Sequence, residues 1–152
     1  MSGASSSDSV HGGYALPTPK NKGYQTDTLS PNFMHPNENP GVVLVTPFLS
    51  GNNYHSWSRS MQVALRSKHK LHFINVALPR SCDDDHDSIA WDRCNTMIMS
   101  WLSNLVESEI SQSILWMNTT LEIWNELKER FYKGDIFSYL RSSRGNLYSE
   151  TR

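Results

Sequence analysis

Apolar positions along the chain fall into two regimes. Up to about residue 40 they are single residues scattered among Ser, Gly, Pro, Asn and Thr. Tyr14, Tyr24 and Phe33 stand alone there, with neither the period of 2 that marks a strand nor the 3.6 of a helix. Such a segment buries too little apolar surface to offset the entropy of ordering it, so residues 1–40 are expected to form a disordered tail. Asn39, Pro40 and Gly41 close it with a turn signal. Residues 42–45 are a short aliphatic, β-branched run that predicts an extended arm or short edge strand; Pro47 and the lack of a second strand pattern argue against a sheet.

From Ser50 the period becomes helical. Tyr54, Trp57, Met61, Ala64 and Leu65 step by 3 or 4 and share one face, with Asn52 or Asn53 as N-cap and Arg59, Arg66 and Lys68 on the opposite face. Leu71, Phe73, Ile74, Val76 and Leu78 follow as an apolar connector ending at Pro79, and a loop over 80–87 carries Asp83, Asp84, Asp85 and Asp87 just before a helix start. Trp91, Cys94, Met97, Ile98, Trp101, Leu102 and Leu105 make the strongest stripe, with Asp92, Arg93, Asn95 and Ser103 on its other side. Ser108 reads as the N-cap of a short helix presenting Ile110, Ile114 and Leu115. Thr119 to Glu122 is a capping box opening a helix with the stripe Leu121, Trp124, Leu127 and Phe131, stopped by Gly134. Asp135 would then cap a fading fifth helix with Ile136, Phe137 and Leu140 inward. The expected fold is all-α: a small bundle of four to five helices behind the tail, with a helical domain over 41–140 and a degraded or truncated segment over 141–152.

Composition sharpens the division. Residues 1–40 hold five of the seven Pro and none of the five Trp, so the core-forming chain is nearer 110 residues than 152 and supports one small core. No stretch approaches the roughly 20 apolar residues of a membrane span, and the N-terminus has no signal-peptide pattern; the expected location is cytoplasmic. Cys82 and Cys94 are then expected to stay reduced, one in a loop and one half-buried on a helix. With 14 Lys and Arg against 15 Asp and Glu the net charge is −1, which weakens any reading as a dedicated nucleic-acid binder. That balance conceals a basic stretch over 59–80 (Arg59, Arg66, Lys68, Lys70 and Arg80) interleaved with aromatics, followed by an acidic one over 83–92.

Candidate chemistry is sparse. His69 and His72 stand three apart with His55 upstream, but a metal site needs three or four converging ligands and no nearby Cys or Glu completes one. The run from Asp83 to Asp87 lacks the spaced oxygens and central Gly of a calcium loop. Cys82, His86 and Cys94 have the spacing of no common zinc finger or knuckle. Phosphate loops, nucleophile elbows and zinc-protease pairs are missing from the sequence, and the sequon at Asn118 has no secretory context. The expectation is a non-enzyme with no cofactor, no metal and no small-molecule substrate.

Motif order adds a resemblance. The segment Phe48-Leu49-Ser50-Gly51-Asn52-Asn53-Tyr54-His55-Ser56-Trp57, followed by Met61, Ala64-Leu65, Lys68, Lys70 and Phe73-Ile74, resembles the N-terminal Gag segment of plant copia-type LTR retrotransposons. The resemblance continues through Trp91 to Asn95, Ser100-Trp101-Leu102 and Ile123 to Phe131, roughly residues 36–140. It implies a capsid-related helical polypeptide that self-associates around the element's RNA, with other Gag-like chains as partners. Tyr54, Trp57, Met61, Leu65, Phe73, Trp91, Trp101, Leu102, Trp124, Leu127 and Phe131 are its implied core residues, none of them catalytic. Two departures stand out. Asn75-Val76-Ala77 replaces the family's Asp-Gly turn, and the amphipathic pattern fades after Leu140, which implies a truncated copy lacking the family's zinc knuckle. The alternative function is weak single-stranded RNA binding through Arg59, Arg66, Lys68 and Lys70.

Overall fold

A computed structural model describes residues 3, 27–75, 79–82 and 85–147; side chains 135–139, 142 and 145–147 are outside that description. Four helices follow one another: α1 (Tyr54–Ser67), α2 (His86–Asn104), α3 (Ser108–Ile114) and α4 (Thr120–Leu147), with a 3₁₀ turn at Leu71–Phe73. Among the described residues there is no strand, so the fold is all-α. The expected arm contributes a single parallel bridge, in which the Leu49 amide donates to the Leu105 carbonyl at 3.0 Å and the Glu107 amide donates to the Leu49 carbonyl at 3.0 Å.

Helix α1 begins where Asn53 finishes a tight turn. Its Oδ1 accepts from the Ser50 amide at 2.9 Å and its Nδ2 donates to the Phe48 carbonyl at 2.9 Å, so the side chain organises the preceding loop. Gly51 in that turn has φ of 97° and a Cβ there would meet the Phe131 ring at 3.3 Å, so both backbone and packing require glycine. At the other end α1 closes with a Schellman pair: the Lys70 amide bonds the Leu65 carbonyl and the His69 amide bonds the Arg66 carbonyl. His69 occupies the left-handed position, φ 55°, that glycine usually fills.

The core lies where α1 and α2 pack on α4. Trp57, Met61 and Leu65 from α1 meet Ile98, Trp101 and Leu102 from α2 and Ile123, Trp124 and Leu127 from α4, with Leu49 and Leu105 filling the same interior. Trp57 stacks on Trp124 with ring centroids 5.9 Å apart, and its indole nitrogen donates to the Leu105 carbonyl at 3.0 Å. Phe73 and the half-buried Trp91 pack at 5.5 Å on the far side.

Several expectations are corrected. The packed region starts before residue 40: Met34 lies against the core, Cys94 donates its thiol to the Asn32 carbonyl at 3.3 Å, and the Trp101 indole donates to the Asn39 carbonyl at 2.8 Å. Backbone carbonyls, not an apolar stripe, hold that segment, and periodicity is blind to them. Apart from Gly3, the rest of the expected tail, residues 1–26, lies outside the described residues, as do Val76, Ala77, Leu78, Asp83 and Asp84. Gly134 does not stop α4, which runs on to Leu147 in place of a separate fifth helix and of a break at 140. A lone helical glycine costs only about 1 kcal/mol against alanine, too little to end a helix without a capping turn. Leu115 turns outward, Ile123 takes the buried place expected of Leu121, and Glu107, not Ser108, is the N-cap of α3. Asn95, expected on the solvated side of α2, is buried: its Oδ1 accepts from the Thr120 amide at 2.8 Å and its Nδ2 donates to the Asn118 carbonyl at 3.2 Å. It holds the start of α4, where the Glu122 amide also donates to Thr119 Oγ1 and Glu122 Oε2 accepts from the Asn118 amide.

Candidate functional site

Two surfaces bear on function, the basic stretch around α1 and the corner between α3 and α4. The first is smaller than its sequence suggests. Lys68 pairs with Glu38 at 2.5 Å and lies 5.3 Å over the Trp101 ring. Lys70 is 2% exposed and donates to the carbonyls of Pro31, at 2.9 Å, and Phe33. Burial pulls the Lys70 ammonium below the usual lysine range, since the charged form loses its hydration. Arg80 makes a two-pronged bond to Asp92, Nε to Oδ1 at 2.8 Å and Nη2 to Oδ2 at 2.9 Å, which holds the Asp92 carboxyl below the usual range. Lys68 and Lys70 are therefore removed from the expected RNA-contact set, because both are used to dock residues 31–38. Arg59 and Arg66 remain exposed on the outer face of α1.

The implied core residues sort cleanly. Tyr54, Trp57, Met61, Leu65, Phe73, Trp101, Leu102, Trp124 and Leu127 are buried, while Trp91 and Phe131 are half-buried at the margin. Burial pushes the Tyr54 hydroxyl up to about 12 and pushes the Cys94 thiol up as well. The histidines are dispersed: His55 packs on the Tyr132 ring at 4.9 Å and His72 Nε2 lies 2.8 Å from the His69 carbonyl. Among the described residues no three His, Cys, Asp or Glu side chains gather closely enough to hold a metal ion. A cavity of about 300 Å³ lies between residues 32–38 and α2, lined by Asn32, Met34, Glu38, Arg93 and Met97 among others.

The second surface was missed as a particular place. Leu115 is 67% and Trp116 86% exposed at the end of α3, while the other four tryptophans are buried or half-buried. The signal available was Trp116 falling one residue off the Ile110 and Ile114 stripe.

The family model described as the Gag-polypeptide of LTR copia-type matches residues 35–80. The chain thus carries a copia-type Gag-like region. No curated protein and no solved structure matches the chain. The Gag-like region begins in the docked segment, includes Glu38, Gly51, α1 and the buried Lys70, and ends at Arg80. Its packing partners are largely beyond it: Leu49 bonds Leu105 and Glu107, Trp57 stacks on Trp124, and Arg80 holds Asp92. Among the described residues no helix is long and apolar enough to cross a membrane.

Proposed function

We propose that the chain is a non-enzymatic structural protein, part of a retrotransposon Gag polyprotein, that self-associates with other Gag-like chains in the cytoplasm. The observation that carries this reading is the copia-type Gag match over residues 35–80. The structure supports it by giving the region's aromatic residues a packing role and leaving Leu115 and Trp116 uncovered on the surface. Exposed apolar groups of that size on a small domain favour a protein partner. On this reading residues 41–140 form the helical Gag-like unit, with residues 31–40 docked on it. Light scattering across a concentration series is the test: mass rises with concentration if the reading holds, and a folded, strictly monomeric chain at the highest concentration overturns it.

RNA contact is the second reading, and exposed Arg59 and Arg66 are what favour it. Single-strand binding loses affinity with salt at a log–log slope of about −0.7 per phosphate contact, so two arginines give about −1.4. Titration with single-stranded RNA at two salt concentrations checks it. A flat signal, or one unchanged by replacing both arginines with alanine, removes it.

A further inference from the structure

Charge is segregated along this chain. Residues 55–80 contain five Lys and Arg and no carboxylate, whereas residues 94–127 contain four Glu and no Lys or Arg. The fold presents each set on a solvent-facing helical stripe. On α1, Arg59, Val63 and Arg66 lie opposite the buried Tyr54, Met61 and Leu65, at the spacing that aligns side chains along one face. With Lys68 and Lys70 engaged internally, Arg59 and Arg66 are this face's charge, and neither has a carboxylate partner among the described residues. On α3, Glu109 lies opposite the buried Ile110 and Ile114 and lines up with Trp116 just past the helix end; Glu107 stands at its start. Each face has an apolar centre, Val63 at 50% exposure on one, Leu115 and Trp116 on the other.

We propose that these are the two halves of one contact between copies of this chain. The Glu107, Glu109 and Trp116 face of one copy docks on the Arg59, Val63 and Arg66 face of the next. This rests on the self-association reading above and names the surface it uses. Charge complementarity selects the pairing, since face-to-like-face contact would set arginine against arginine or glutamate against glutamate. An indole with neighbouring acids also suits a guanidinium, which stacks on the ring while pairing with a carboxylate. Because the halves are different surfaces, the contact is heterologous: every bound copy keeps a free face of each kind, so growth proceeds to rings or open chains and does not stop at a dimer.

Sedimentation velocity on the full 152-residue chain tests this with two charge-reversed variants, Arg59→Glu with Arg66→Glu, and Glu107→Lys with Glu109→Lys. Thermal melts by circular dichroism confirm that each folds, as exposed positions allow. Wild type is expected to give species larger than a dimer that weaken with added salt. Each variant alone associates at least about tenfold more weakly, and an equimolar mixture of the two recovers association because every junction is again complementary. Trp116→Ser weakens association without changing the melt. If wild type associates while both variants and the Trp116 change associate equally well, the contact lies elsewhere and this proposal fails with the assembly reading intact. A wild-type chain that is monomeric throughout overturns both.

Discussion

At the end of α1 two neighbouring side chains do opposite things. His69 accepts a left-handed backbone to close the helix, and that reversal swings Lys70 into the protein, where two carbonyls receive its ammonium. From sequence, Lys68, His69 and Lys70 look like one solvated run, because helical period ceases to apply once a residue leaves the right-handed region. Left-handed strain costs about 1–2 kcal/mol and glycine's unfolded-state freedom returns part of that, so His69→Gly is expected to stabilise the fold by about 0.5 to 1 kcal/mol in urea melts. Lys70→Met leaves the Pro31 and Phe33 carbonyls without their charged donor. It is expected to destabilise by about 1.5–3 kcal/mol and to hasten proteolytic cutting within residues 27–40. Tyr54 supplies a pH signature. Its folded value of about 12 lies above the ordinary 10.0, so its contribution is complete below pH 10 and is lost as pH rises through 12. Lys70 acts in the other direction, its lowered value making the fold gain stability as pH climbs toward 10.5. Tyr54→Phe is expected to flatten the decline between pH 10 and 12 in tryptophan-fluorescence unfolding curves.

Among the elements, α1 and α2 were legible because both are amphipathic over several turns: Trp57, Met61 and Leu65, and Ile98, Trp101 and Leu102, are buried as their spacing requires. Helix α4 was misread as two helices because a glycine followed by Asp135 imitates a stop and a new cap. A Cβ at Gly134 would meet nothing within 4 Å, so Gly134→Ala is expected to raise helix content and stabilise by about 0.5–1 kcal/mol, read by circular dichroism. Asn95 was illegible for a different reason. A polar residue next to a stripe is ordinarily solvated, and only the approach of α4 gives this one the Thr120 amide and the Asn118 carbonyl to bond. Removing it with Asn95→Ala orphans a buried amide and is expected to cost about 1–3 kcal/mol in chemical unfolding.

Across the whole molecule, the tryptophans divide the surface from the interior. The sequence placed all five at helical spacings, yet spacing alone does not tell an indole that seals a core from one that the following turn carries outward. Trp57 stacked on Trp124 is interior, and Trp57→Ala is expected to cost about 3–5 kcal/mol. Trp116→Phe, at a position 86% exposed, should stay within about 0.5 kcal/mol of wild type while removing most of the acrylamide-quenchable emission.

The bond from the Leu49 amide to the Leu105 carbonyl, beside the Trp57 indole on that same oxygen, reaches across some fifty residues of chain. A ribosome making this protein releases the Gag-like segment well before residues 105 and 124 exist to receive it. Residues 35–80 therefore leave the exit tunnel as an unpaired apolar segment that neighbouring nascent chains can capture, and the fold closes only after most of α4's buried stripe has been synthesised.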